Sequence, residues 1–536
     1  MNMNPSFSPF PCRTDLLRVA LAHWSALEPF RASRQRCKRY CYGDQWSDRV
    51  CVEGRWMPEE QYIRMQGSEP LKNNLIRRLV RSVLGLYRQQ CRPLVCQARD
   101  ADEQPLAEVM TSVLTANRQL NRADELHART LEEFLISGLA VQRKSYGLRH
   151  GRHDCWTDIV PPERFFFDTL STDCRGWDVE VVGQLHDISF DTLLALFASG
   201  GQQADFLGKC YAPASYNDRL AAMTDQLGWQ RQPADFFRPA QSARCRVIEL
   251  WRRERHPGFL CHNAATGELF RVEKPFYPMS PDADGAPDAS LRFFRHSPER
   301  WHYYFLTPFG HVLAQGVTPY AHGSHPYVFK AYPFIDGEIH SFVADVIDQQ
   351  RYTNRLITLY DWVMRSSAKG VLLVPEECIP DGSCIEDIAS EWARFNGVIA
   401  VKTRNGTELP RQMAANAVNV GINELLQTQL ALMEDISGVA ASLQGKASRA
   451  DTSGSLYRQQ TDNARLSQFD LLQSFEAFLT DGAYLDMKNI QQFYDTRRVL
   501  LISGQKARQV VYDPLRMGDV ELDLCIRPSE PSPGAE

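Results

Sequence analysis

From Ser341 to Lys369 the chain contains neither proline nor glycine, and its apolar residues recur at helical spacing. Val343, Val346, Ile347, Leu356, Ile357, Tyr360, Val363 and Met364 fall on one stripe. That stripe predicts a helix of about 28 residues, roughly 42 Å long. A second stripe covers residues 416–437, with Val418, Ile422, Leu425, Leu426, Leu430, Met433 and Ile436, and a third runs from near Ser455 to Tyr494. A small insert separates the first two helices and a polar loop separates the last two. Such a layout suits a support or a tube lining better than an enzyme pocket.

A chain of 536 residues holds the cores of roughly three or four domains. Its 43% hydrophobic and 10% aromatic content is that of a folded protein. A net charge of −5 argues against a tight, free-standing nucleic-acid binder, which carries a basic excess. It leaves room for a surface along which DNA slides, because a conduit must bind weakly. No apolar run is long enough to cross a bilayer, so no membrane role is expected. Residues 1–13 lack the layout of a signal peptide, and fourteen cysteines in that context read as reduced thiols. Cys37, Cys41 and Cys51 lack a fourth ligand at zinc spacing, and His150, His153 and Cys155 fit a solvated turn beside Gly151. No metal and no cofactor are expected.

Residues 14–139 read as mainly helical, with one amphipathic stripe through Leu75, Ile76, Leu79, Val80, Val83, Leu84 and Tyr87. From Ala140 to about Pro333 the texture changes to short apolar runs bounded by Gly, Pro, Asn and Asp. Strands are expected at 179–185, 245–251, 269–272, 303–306 and 311–315, and a short helix at 190–197. Residues 281–289 read as a surface loop. Within the insert, strands at 370–375 and 398–402 flank a helix at 385–395. Strands are expected again at 499–502, 510–512 and 520–526, before a proline-rich tail. The fold class is α+β.

No catalytic motif stands up. The stretch from Gly438 to Lys446 imitates a phosphate-binding loop, but Ala440 replaces the first required glycine and Ala447 the metal-binding hydroxyl. A helix also precedes it where a strand is needed. His-Glu-x-x-His and Gly-x-Ser-x-Gly are absent. Most of the long-helix stripes read as core, and Trp362 as filling a gap between helices. Asp345, Asp348, Arg351 and Arg355 form polar faces suited to pairing between subunits or to a lumen.

Several motifs, taken in order, resemble the portal proteins of tailed bacteriophages, of the short-tailed-phage type also common in prophages. They are Gly43-Asp44-Gln45-Trp46, Asn73-Asn74-Leu75-Ile76, and Asp348-Gln349-Gln350-Arg351-x-x-Asn354, with Gln349 where the family has proline. Ile436 to Val439, Ser453 to Ser455, Gln459-Gln460, and Gln492-Phe493-Tyr494 with Arg497 or Arg498 complete the series.

The resemblance implies a non-catalytic ring, a homo-oligomer of twelve, at one capsid vertex of the virion, assembled in the host bacterial cytoplasm. Double-stranded DNA would enter and leave through it without sequence specificity. The terminase large subunit, then head-completion and adaptor proteins, would dock on it, with major capsid and scaffolding proteins around it. Residues 1–340 would form the wing, 341–368 and 414–438 the two stem helices, and 369–413 the clip. Residues 439–454 would form the tunnel loop, 455–498 a long wing helix, and 499–536 the C-terminal strands and tail, with a crown short or absent. Ser442, Gly445, Lys446, Ser448, Arg449, Thr452 and Ser453 would then face DNA. Asp387, Glu391 and Arg394 would sit on the docking face of the clip, and Val346, Ile347, Leu356, Tyr360, Leu425 and Met433 would pack the stem. The alternatives are a packaging ATPase–nuclease (the terminase large subunit) and an intracellular scaffold unrelated to DNA.

Overall fold

The computed structural model describes residues 9–89, 93–213, 216–221, 234–241, 243–255, 258–263, 266–273, 291–369, 371–380, 382–393, 399–402, 409–413, 421–440, 443–444, 465–502, 508–518 and 520–526. Helices and strands are mixed, and the sheets are antiparallel, as an α+β chain requires. The chain divides into two compact units, one of residues 1–38, 80–344 and 465–536, the other of residues 39–79 and 345–464.

The first unit is built on a five-stranded sheet ordered Val312–Val317, Glu299–Leu306, Cys245–Arg255, Val181–Ile188 and Phe165–Phe167. Helix Thr14–Ala26 lays Leu16, Leu17, Ala20, Leu21 and Trp24 into its core, where they meet Phe165, Phe166 and Phe167. These residues recur every three or four positions, so one helix face carries them all. A second sheet contains the long hairpin Leu139–Arg149 and Arg152–Ile159. Its turn uses positive φ at both His150 and Gly151, the mirror-image geometry that matches strand twist.

Helix Ala123–Ser137 precedes that hairpin and ends at Gly138, whose φ of 79° lets its N–H reach the Phe134 carbonyl at 2.7 Å. A Cβ at Gly138 would fall 1.8 Å from the His340 carbonyl oxygen, so the position has room for nothing larger. Helix Phe469–Phe493 buries Leu472, Phe475, Phe478, Met487 and Ile490. Its Asp486 accepts a 2.6 Å hydrogen bond from the buried ammonium of Lys144. Strand Leu94–Ala98 pairs with strand Leu522–Ile526, joining segments far apart in sequence.

Helix Phe190–Phe197 and the strands near 181, 245, 269, 299, 312, 498, 508 and 522 agree with the sequence expectations. The sequence reading of residues 14–139 as mainly helical passed over two features. These are a hairpin at Arg49–Val52 and Arg55–Pro58, and strand Leu94–Ala98. Residues 281–289 and the start of the third stripe, up to 464, lie outside the described residues.

In the second unit the first long helix begins at Ile347, after a 3-10 turn at Ala344–Val346, and runs to Lys369. It packs against helix Ile422–Ser437, which starts after Gly421 and is capped by Gly438, both with positive φ. The insert differs from expectation. Residues 399–402 are not a strand, and Val371–Leu373 pairs instead with Arg411–Met413. Apolar content pointed to a strand at 398–402, but the Lys402 N–H is taken by the Cys378 carbonyl at 3.0 Å, outside any strand pairing of the described residues. Helix Ile385–Ala393 is present.

Candidate functional site: a buried polar junction

Three of the quoted sequence motifs meet inside the second unit. Tyr42 ends helix Glu28–Tyr42, and Gly43, at φ 95°, turns the chain so that the Asp44 N–H returns to the Arg39 carbonyl at 2.9 Å. That turn buries Gln45 and Trp46. The Gln45 amide donates to the Tyr40 carbonyl at 3.0 Å, and the Trp46 indole N–H donates to the Leu71 carbonyl at 3.2 Å. Lys72 Nζ reaches the Gly43 carbonyl at 2.7 Å.

Residues 71–76 then run along one side of helix Ile347–Lys369. Gln350, Asn354 and Thr358 are spaced four apart, so they form one buried polar row on that helix. Thr358 Oγ1 accepts the Leu71 N–H at 3.2 Å, and Asn354 Oδ1 accepts the Asn73 N–H at 3.2 Å. Gln350 Oε1 accepts the N–H groups of Leu75 and Ile76 at 3.0 and 3.3 Å. These two belong to the first turn of helix Leu75–Gln89, which has no internal acceptors for them. Asn74 caps the same helix, its Oδ1 taking the Arg77 N–H at 3.0 Å. Gln350 Nε2 donates to the Asn73 carbonyl and to Asn354 Oδ1, and Asn354 Nδ2 donates to Gln45 Oε1. Side chains of one helix thus do for an irregular loop what a sheet ladder would do for a strand.

Beside this row lies an ionic cluster. Glu59, buried at the head of helix Glu59–Met65, accepts from Arg351 at 3.0 Å and from Arg355 at 2.6 Å. Asp48 accepts from the Tyr40 hydroxyl at 2.9 Å and from Arg39 at 3.3 Å. Burial opposes the charge on Arg351, but Glu59, Tyr40 and Asp48 outweigh it and hold its pKa above the ordinary value. Arg351 and Arg355 are therefore paired within the chain, Arg355 while its side chain is still half exposed. Position 349 falls in the first helical turn, where glutamine and proline are both tolerated.

The last motif of the series, Gln492-Phe493-Tyr494, lies in the other unit. Gln492 bonds the Ala321 N–H and the Pro319 carbonyl, both at 2.7 Å. Phe493 stacks on Tyr146 at 4.6 Å, and the Tyr494 hydroxyl bonds Asp154 while Arg498 lies 3.6 Å over its ring. These contacts fix the exit of helix Phe469–Phe493 against the hairpin at 139–159.

The remaining site residues are distributed as follows. Ser442, Gly445, Lys446, Ser448, Arg449, Thr452, Ser453 and Arg394 lie outside the described residues. Asp387 turns back on its own helix start, accepting the Cys384 N–H at 3.0 Å, and that bond and the Cys384 thiol hold its carboxyl below the usual range. Glu391 is half-buried on the same helix. Val346, Ile347, Leu356 and Met433 are buried, whereas Tyr360 and Leu425 are exposed. Trp362, expected to fill a gap between helices, is half-exposed.

Sequence reading missed Glu59 and Thr358. The i, i+4, i+8 repeat of Gln350, Asn354 and Thr358 is the signal by which the latter could have been found. Among the described residues no group of His, Cys, Asp and Glu is arranged to hold a metal, and no helix is long and apolar enough to cross a membrane.

A comparison with curated proteins returned no match. The family model described as Phage P22-like portal protein matches residues 20–521, a span that takes in the buried polar junction and the exit of helix Phe469–Phe493. Proteins of that family are structural, and the match favours neither the ATPase–nuclease nor the scaffold alternative. The chain therefore belongs to the Phage P22-like portal protein family and is a phage portal protein.

Proposed function

We propose that the chain assembles as a ring of twelve at a capsid vertex and forms the channel through which double-stranded DNA is packaged and ejected. The observation that carries this reading is the pair of long helices, Ile347–Lys369 and Ile422–Ser437, packed together in one unit and bracketing a small insert, within a portal-family chain. In this reading residues 341–368 and 414–438 are stem helices that set the bore, and 369–413 are the clip. Residues 439–454 form the loop that narrows the channel. Residues 1–340, 455–498 and 499–536 build the wing and its C-terminal strands, with residues 39–79 tied to the first stem helix by the junction described above.

The clip would present Asp387 and Glu391 on helix Ile385–Ala393, together with Arg394 of the segment that follows, first to the terminase and then to adaptor proteins. The channel acts by geometry and by transient, sequence-independent contacts with phosphates, of the kind lysines and arginines supply. Negative-stain electron microscopy of the purified chain, with mass measurement of the particles, tests the reading. Rings with a central hole and twelve subunits are expected. Monomers or filaments would overturn it, and rings of another size would overturn the number alone.

A further inference from the structure

Helix Phe469–Phe493 turns one narrow face to the hairpin of strands Leu139–Arg149 and Arg152–Ile159. Gly482, Asp486, Asn489 and Phe493 fall within about 60° of one another around its axis, at 3.6 residues per turn. Three of the four are matched by the hairpin. A Cβ on Gly482 would lie 3.2 Å from Lys144 Cε, Asp486 Oδ2 takes the Lys144 ammonium at 2.6 Å, and Phe493 stacks on Tyr146 at 4.6 Å. Lys144 and Tyr146 stand two apart on one strand and so share a side of it.

Asn489 lies between Asp486 and Phe493 on that face and is shut away from solvent. Among the described residues, neither its Nδ2 nor its Oδ1 has a hydrogen-bond partner, and Asp486 Oδ1 has none either. The two side chains are three residues apart, which makes them neighbours on the helix surface. Lys144 Nζ carries three N–H groups and spends one on Asp486 and one on Thr157 Oγ1, at 2.9 Å. His127, whose charge is opposed first by burial and then by Lys144, has an Nδ1 that is also unmatched among the described residues.

We infer that this seam is a hydration site, in which at least one ordered water bonds both Asp486 Oδ1 and the Asn489 amide and ties the helix to the hairpin. The inference is independent of the ring reading, because every group in it belongs to the first unit of a single chain. The chemistry of the seam selects the ligand. The unmatched atoms include a donor, Asn489 Nδ2, and two acceptors, Asn489 Oδ1 and Asp486 Oδ1, so the ligand must both donate and accept. Lys144 and Asp486 already neutralise each other. A bound cation would meet the ammonium and a bound anion the carboxylate, which leaves a small neutral molecule. Buried waters typically make about three hydrogen bonds to polar groups that the protein itself leaves unmatched.

Two measurements on the full-length protein test this. The first is a crystallographic or cryo-electron map fine enough to show ordered solvent. A water about 2.7–3.2 Å from both Asp486 Oδ1 and an Asn489 amide atom is expected. A protein group or an ion in that place, or a dry seam, would overturn the inference. The second is the melting temperature of Asn489→Leu, a change of similar size. If water is bound, the variant removes its partner and strands Asp486 Oδ1, and the melting temperature should fall by about 2–4 °C. If the amide is buried dry, leucine relieves it, and an unchanged or raised melting temperature would overturn the site. Should the variant not fold, the map of the unaltered chain decides.

Discussion

Asn354 Nδ2 donates to Gln45 Oε1 at 2.7 Å, and both amides are shut away from solvent. The bond joins the turn after Gly43 to the first long helix of the second unit. Asn354 also accepts from Asn73 and Gln350 through Oδ1, so its removal strands several buried groups at once.

Asn354→Ala is therefore expected to destabilise the second unit by about 2–4 kcal/mol, since each buried polar group left without a partner costs about 1–3 kcal/mol. Hydrogen exchange read residue by residue checks the cause. Gln350→Ala should speed exchange at Leu75 and Ile76, and Asn354→Ala at Asn73. Unchanged protection at all three amides would show that the row does not hold the loop.

Glycine substitutions separate close approach from backbone strain. Gly138→Ala should abolish soluble expression or cost well over 3 kcal/mol, because its Cβ would collide with the His340 carbonyl. Gly151→Ala, with φ 74° but nothing within 4 Å of the new Cβ, should cost only about 1–2 kcal/mol. Thermal melts of the two variants should differ accordingly, and equal losses would contradict the geometry.

The Lys144–Asp486 pair gives a third expectation. Lys144→Met alone leaves Asp486 buried and unpaired and should destabilise by about 3–5 kcal/mol, whereas Lys144→Met with Asp486→Leu should recover most of that loss. Denaturant midpoints of the two single variants and the double variant measure the coupling.

Stability should fall as pH drops below about 6.5. Burial, followed by nearby positive groups, lowers His127 and His325 to about 3, and burial lowers His322 to about 4. Between those values and the ordinary histidine range the unfolded chain binds more protons than the folded one, so acid favours unfolding. The slope for each is up to about 1.4 kcal/mol per pH unit. His325→Phe, which keeps an aromatic ring against Trp301, should flatten the profile measured between pH 7 and 5.

If residues 439–454 line the channel, Lys446→Ala with Arg449→Ala should leave ring formation intact and change the amount of DNA packaged or retained. The difference should shrink as salt rises, since counterion release sets contacts of this kind. A packaging assay across a salt series, beside micrographs of the rings, separates this from an assembly defect.

Apolar periodicity made the long helices and most strands of the first unit legible, because burial on one face is written locally in the sequence. Helix Phe190–Phe197 was read to the residue. Strand partners were not legible. Arg411–Met413 is fully exposed and carries no apolar run, and Leu94–Ala98 finds its partner only at Leu522–Ile526. The buried junction was legible in part. Gln45, Asn73, Gln350 and Asn354 stood out as motif residues, yet nothing in their spacing says that amides widely separated in sequence face one another. Glu59 was hidden because a carboxylate is ordinarily solvated, and only the two arginines meeting it explain its burial.

The pairing of Leu94–Ala98 with Leu522–Ile526 sets an order of events on the ribosome. Every group of the polar junction has been synthesised by Thr358, and both long helices of the second unit by Ser437. The first unit must wait for residue 526 before strand Leu94–Ala98 has a neighbour. At bacterial-scale elongation of roughly 5–20 residues per second, that delay is on the order of ten seconds. During that interval the five-stranded sheet, whose last strand ends at Val317, is already fully synthesised, and strand Leu94–Ala98 is the one still without its partner among the described strands. The polar junction of the second unit and the large sheet of the first can therefore each be complete before the terminal strand pair closes.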